Sequence, residues 1–140
     1  MTAGNSYETD NRTGINQEGE QANTPVERLT ASSIVGDPVH NVQGEKLGVI
    51  DNLMVNVQTG MIEYAVLEFG SFLGIGGKLF AIPFTSMRVD PEQKGFVIDR
   101  DREFLEKMPG FDRNHWPDTN DHYYNEVNMY WRLSSRAFYP

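Results

Sequence analysis

The feature that most constrains the fold is an apolar stretch at residues 45–84, which carries almost all of the dense hydrophobic content of the chain. It reads EKLGVIDNLMVNVQTGMIEYAVLEFGSFLGIGGKLFAIPF. Three of its segments are rich in β-branched and aromatic residues, and they are separated by a short polar turn and by a glycine-rich loop. This pattern predicts three β-strands.

Alternation along the first of these strands predicts one buried and one solvated face. Ile50 and Asp51 interrupt this alternation. Ile50 is apolar where a polar residue is expected, and Asp51 is polar where an apolar residue is expected. Such a break predicts a β-bulge or a local bend. Asp51 as a lone general base is a weaker interpretation, since the sequence places no second catalytic group beside it. The face predicted to be buried carries Leu47, Val49, Leu53, Val55 and Val57.

The central strand, residues 61–69, has apolar side chains in both phases. Ile62, Tyr64 and Val66 share one phase, and the other phase also carries apolar side chains. A strand of this kind is covered on two sides, by the interior of a barrel and by a packed segment or a partner.

Shorter signals flank this region. Gly44 and Gly60 stand where tight hairpin turns need a left-handed residue. The third strand of the stretch is predicted at residues 78–83, and short strands are predicted outside it at residues 39–40, 86–89 and 95–99. Residues 101–108 predict a short helix with an acidic start, which Pro109 and Gly110 end.

The loop at residues 70–78 resembles a phosphate-binding loop only superficially. Phe72 stands where the first glycine of such a loop is required, and Leu79 follows Lys78 in place of serine or threonine. Two interpretations remain. The apolar side chains either tuck back onto the barrel or form an exposed apolar lip for self-association or partner docking. The residues concerned are Phe72, Leu73 and Ile75.

Both ends of the chain differ from its centre. Residues 1–28 are polar and predict a flexible tail, or alternatively a recognition segment that orders on a partner. Residues 109–140 hold both tryptophans, and within them residues 120–131 predict an amphipathic helix. Such aromatic density predicts packing on the parent domain or on a second subunit. The aromatic residues assigned to a candidate interaction surface are Tyr64, Trp116, Tyr123 and Trp131.

Composition excludes several classes of function. The net charge of −8 argues against sequence-wide electrostatic binding of nucleic acid, and the lack of cysteine rules out disulfides and thiolate zinc sites. No signal peptide or membrane-spanning segment is recognised, so a cytoplasmic location without membrane insertion is expected. No cofactor is expected either. A metal site is not predicted, because the ligand types at His115, Asp118, Asp121 and His122 have no recognised spacing.

The order of these motifs resembles a PRC-barrel domain. The resemblance rests on the GEKLG corner, the turn at Thr59 and Gly60, the FLGIG loop and the strand end IPF, and it covers residues 29–108. PGFDRNHWPD is similar to an extension found in stand-alone bacterial members. The resemblance implies an all-β fold, a small and strongly bent antiparallel barrel, here with a short helix and an aromatic C-terminal extension at residues 109–140.

The family includes the cytoplasmic part of the photosynthetic reaction-centre H subunit and the C-terminal domain of a ribosome maturation factor. These members share protein docking without chemistry. The resemblance therefore implies a non-catalytic adaptor, expected here as a homodimer that holds a protein partner. Two alternatives are an accessory domain that tunes electron or proton transfer in a reaction-centre-like complex, and an accessory to ribosome maturation or RNA processing.

Overall fold

The computed structural model describes residues 15–16, 24–25, 28–69, 78–90, 95–117 and 121–135. Their strands are β1 (Ile15–Asn16), β2 (Thr24–Pro25), β3 (Pro38–Asn41), β4 (Lys46–Asn56), β5 (Met61–Phe69), β6 (Lys78–Pro83), β7 (Arg88–Asp90) and β8 (Gly95–Ile98). Their helices are α1 (Ala31–Ile34), a 3-10 helix (Phe84–Ser86), α2 (Arg102–Lys107) and α3 (Asp121–Ser135).

Six of the strands form one sheet in the order β6-β5-β4-β3-β8-β7, whereas β1 and β2 pair only with each other. The sheet is antiparallel except for β3 and β8, which run parallel, so the expectation of a purely antiparallel sheet is wrong at that pair. The chain between β3 and β8 contains the strands β4 to β7. A connection of this length can join a parallel pair, whereas a tight turn cannot. No strand ladder joins β6 to β7 among the described residues. A mostly β fold is confirmed, but a closed barrel is not.

Strand β4 is bent by register shifts, as the sequence predicted near Ile50 and Asp51. Ile50 pairs with Leu67 and Asn52 pairs with Val66, which leaves Asp51 as the extra residue of a bulge. Further shifts lie between β3 and β4 and near the β4–β5 turn. Bulges increase the local twist, and here they wrap one strand around the core.

One part of the prediction for β4 is wrong. Val55 and Val57 were expected on the buried face, but they are 50% and 89% exposed. Val55 lies opposite Ile62 in the ladder. The end of the β4–β5 hairpin extends past the elements that cover the sheet, and alternation along a strand cannot show where that cover ends.

The corner between β3 and β4 is held by the buried side chain of Asn41. Its Oδ1 accepts hydrogen bonds from the backbone N–H groups of Gln43 and Glu45, and its Nδ2 donates to Glu45 Oε1. Gly44 has φ 88°, as the turn requires. Glu45 also pairs with Arg102 at 3.1 Å, so the same corner contacts α2.

Most of the remaining short elements agree with the sequence, but the strand predicted at residues 86–89 is observed at Arg88–Asp90, because Ser86 belongs to the 3-10 helix. The antiparallel pair β7–β8 and the turn at Gly60, where φ is 80°, are confirmed. Helix α2 begins after Asp101, whose side chain accepts from the backbone N–H of Phe104 at 2.9 Å. Helix α3 confirms the predicted C-terminal helix and extends it to Ser135, whereas α1 was not anticipated.

The hydrophobic core joins the sheet to α2 and α3 in one cluster. Leu105 of α2 and Val127 of α3 are fully buried in it. On the outer edge of β6, Leu79 and Phe111 exchange two backbone hydrogen bonds of 2.9 and 2.8 Å. The segment before α3 therefore contacts the edge of the sheet at Phe111.

Candidate functional site

Tyr64, assigned from the sequence to a candidate interaction surface, is buried under α3. Its ring stacks on that of Tyr124 with centroids 4.7 Å apart, and Asn128 Nδ2 donates to its hydroxyl at 2.9 Å. Burial raises the pKa of the Tyr64 hydroxyl. Helix α3 is thus the segment that covers the second apolar face of β5.

Tyr123, from the same candidate set, is only 8% exposed. Its hydroxyl accepts from the backbone N–H of Ala81 at 3.4 Å and donates to the carbonyl of Pro109 at 3.3 Å. Its ring packs edge-on against Phe111 and Tyr124. One side chain therefore joins α3, strand β6 and the segment that precedes the helix.

Trp131 is 5% exposed and packs on α2. Its ring lies edge-on to Phe104 at 4.9 Å, and the guanidinium of the buried Arg100 lies 4.8 Å from its centroid. Arg100 also lies 5.1 Å from the Phe104 ring. The three side chains form a cation–π cluster that attaches the end of α3 to the domain.

The structure therefore divides the candidate surface of the sequence analysis. Tyr64, Tyr123 and Trp131 are buried within this chain, while Trp116 is half-buried and its ring centroid lies 5.1 Å from that of Phe111. The rings of Tyr64, Tyr123 and Trp131 attach α3 to the rest of the domain. The apolar lip of Phe72, Leu73 and Ile75 lies outside the described residues, and its role stays a prediction.

Burial of Tyr123 has a measurable pH consequence. Loss of water around the ring raises the pKa of Tyr123 to about 12, above the ordinary value of 10. The folded protein thus holds this proton more tightly than the unfolded chain. Below pH 10 the raised pKa of Tyr123 makes its full contribution to the free energy of unfolding. This contribution is lost as the pH rises toward 12.

We expect Tyr123→Phe to remove part of the fall in the denaturation midpoint between about pH 9.5 and about pH 11.5, a range that includes the ordinary tyrosine pKa. Denaturant unfolding at both pH values measures this, and absorbance titration of tyrosinate measures the pKa directly. An identical pH dependence in wild type and Tyr123→Phe would contradict the prediction.

Asp51, the weak candidate for a general base, lies in an ion-pair cluster. Arg113 Nη1 is 2.9 Å from Asp51 Oδ1, and its Nη2 is 3.2 Å from Glu68 Oε2. The hydrogen bond to Asp51 is the main cause of a raised pKa at Arg113. The carboxylate at the bulge of β4 is thus tied to the segment that leads into α3.

Exposed apolar side chains occur at the far end of the β4–β5 hairpin. Val57 is 89% exposed, Met61 63% and Val55 50%. The turn between them contains side-chain hydrogen bonds, because Asn56 Oδ1 accepts from the backbone N–H groups of Gln58 and Thr59. The sequence analysis missed this surface. A usable signal is a strand that continues into a polar turn past the last of its residues that pairs with a core residue of the neighbouring strand.

No metal centre is found within the part of the chain that the structure describes, where no group of three or more potential ligands occurs. His115 Nδ1 lies 2.7 Å from Asp112 Oδ1 in an exposed pair, and this contact lowers the pKa of Asp112. His122 is exposed on α3. Asp118 and the side chain of Asp121 lie outside the described residues.

Comparison with known proteins gives one family match. The model of the PRC-barrel domain matches residues 27–105, a range that contains strands β3 to β8 and ends within α2. No curated protein matches the chain. Among the described helices, none has the length and apolar character that crossing a membrane requires.

Proposed function

The chain belongs to the PRC-barrel domain family, and on that premise we propose that its folded part is a non-catalytic module that docks a protein partner. The observation that carries the proposal is the apolar end of the β4–β5 hairpin. Val55, Val57 and Met61 place hydrophobic surface in solvent on a turn that its own side-chain hydrogen bonds hold in shape. Ordered apolar side chains of this kind favour association.

The surrounding polar groups support docking over catalysis. Asn56 Nδ2 donates to Glu63 Oε2 at 3.1 Å, so polar side chains border the apolar residues of the hairpin end. In the ladder Met61 lies opposite Asn56 and Val55 lies opposite Ile62, so the exposed apolar side chains occupy both faces of the hairpin end, and the Asn56–Glu63 hydrogen bond lies beside Met61. Asp51, the one residue considered as a base, is paired with Arg113 and so is engaged in structure.

Self-association belongs to the same proposal. In the sequence the hairpin turn precedes Met61 and the loop at residues 70–77 follows Phe69, and these are the two ends of β5. A strand of this length separates its two ends by roughly 30 Å. A second copy can therefore bind at the loop while a different protein binds at the hairpin end, and substitutions can test the two surfaces separately.

We expect Val57→Asp combined with Met61→Asp to weaken partner binding at least about tenfold, since a charge at the centre of an apolar contact removes the side chains that carry most of its energy. The measurement is affinity capture with the full chain followed by titration of the recovered partner. Val42→Asp, at another exposed valine, is the matched control. Retention of the partner by the double variant would argue against docking through the hairpin end.

Light scattering on the same variants tests self-association. Phe72→Asp with Leu73→Asp should convert a dimer to a monomer, whereas the hairpin variant should stay dimeric. A wild-type chain that is monomeric at all concentrations would contradict the homodimer. The identity of the captured protein separates the alternatives, because membrane photosynthetic proteins favour a reaction-centre role and a ribosomal protein favours ribosome maturation.

A further inference from the structure

A cavity of about 330 Å³ lies between α1, the 3-10 helix and the strands β7 and β8. Its volume is at the lower end of the range for small-ligand sites, which are mostly apolar with few polar groups. No residue of α3 belongs to its lining. Its lining is Arg28, Leu29, Ile34, Ile62, Phe84, Met87, Val89 and Phe96.

The lining changes in character from floor to rim. Ile34 and Phe96 are buried, and the rings of Phe96 and Phe84 lie 6.3 Å apart, so the floor is apolar and packed. Val89 is partly exposed at the rim, and Arg28 is exposed. A molecule seated here would bury an apolar body and keep its polar end near the guanidinium.

Arg28 is the one charged group in the lining. Within the described part of the chain it makes no ion pair, whereas Arg102 and Arg113 both do. The chain as a whole has a net charge of −8, so the charge of this cation beside an apolar cavity is opposite in sign to that of the protein. A guanidinium recognises a carboxylate by paired N–H donors.

We propose that this cavity binds a small amphiphilic carboxylate, with its alkyl or aryl body on the floor at Ile34 and Phe96 and its carboxylate at Arg28. Charge complementarity selects the anion, and burial of the apolar body supplies most of the affinity. The proposal does not depend on protein docking, because the hairpin end and the cavity use different side chains.

The test is a titration of the isotope-labelled full chain with decanoate and with decanol, each kept below its aggregation threshold, and followed by the methyl signals of Ile34, Ile62 and Met87. We expect saturable shifts with both probes and a decanoate affinity about two- to fivefold higher, as for an exposed ion pair. Arg28→Gln should abolish this preference and leave decanol binding unchanged.

Arg88→Gln is the matched control. Arg88 is an exposed cation on β7 next to Val89, and successive side chains of a strand point to opposite faces, so its removal should leave both affinities unchanged. Ile62→Trp, which fills the cavity, should abolish binding of both probes. Shifts that do not saturate, a preference that survives Arg28→Gln, or binding that survives Ile62→Trp in a folded variant would each overturn the proposal.

Discussion

Replacing Trp131 with alanine is expected to lower the free energy of unfolding by about 3 to 5 kcal/mol, the range for truncation of a buried aromatic side chain. Trp131 is 5% exposed and packs on Phe104 of α2. Its loss also leaves the buried guanidinium of Arg100 with one aromatic face in place of two. The empty space left by the Trp131 ring and the lost cation–π contact both lower the free energy of unfolding.

Guanidinium unfolding of the full chain measures this effect. Met129→Ala is the matched control, because Met129 is on the same helix and is 61% exposed, so its truncation should change stability by no more than about 0.5 kcal/mol. Trp131→Phe should recover part of the loss. Equal stabilities of Trp131→Ala and Met129→Ala would show that α3 does not stabilise the domain through this contact.

Local patterns in the sequence were sufficient to predict most strands and turns. The bulge at Asp51 and the turns at Gly44 and Gly60 are each encoded within a few residues, and the structure confirms all three. The parallel pairing of β3 with β8 was not predicted. Its two strands are far apart in the chain, and no local signal selects a partner at that distance.

The candidate site was harder to predict, for a different physical reason. Aromatic residues in an apolar strand or an amphipathic helix indicate burial, but they do not indicate what buries them. Tyr64, Tyr123 and Trp131 fit a partner interface and an internal interface equally well, and the structure places them inside the chain. Val57 shows the converse, since its position in an apolar strand suggested burial where the hairpin in fact extends into solvent.

The second large effect is expected at Gly48, the last residue of the GEKLG corner. Gly48 lies in β4 between β3 and β5, opposite Val39 on one side and Phe69 on the other. A Cβ at this position would lie 2.1 Å from the backbone carbonyl oxygen of Glu68. A backbone atom cannot rotate away as a side chain can, so β4 and β5 would have to separate.

We expect Gly48→Ala to lower the free energy of unfolding by about 3 kcal/mol or more, the upper range for overpacking, measured by guanidinium unfolding. Gly60→Ala is the comparator. A Cβ there meets no atom within 4 Å, and the substitution costs only the left-handed backbone conformation, about 1 to 2 kcal/mol. The two variants therefore separate a steric requirement for glycine from a conformational one.

The order of the two effects is the decisive result. If Gly48→Ala is the milder variant, then β4 can move away from β5 at little cost, and the bend at the start of β4 is not held by close contact of the two strands. If it is the more severe one, the final glycine of GEKLG is required because the carbonyl of Glu68 occupies the space of a side chain. That contact lies on the same strand pair as the Asp51 bulge, so it would help to determine where β4 bends around the core.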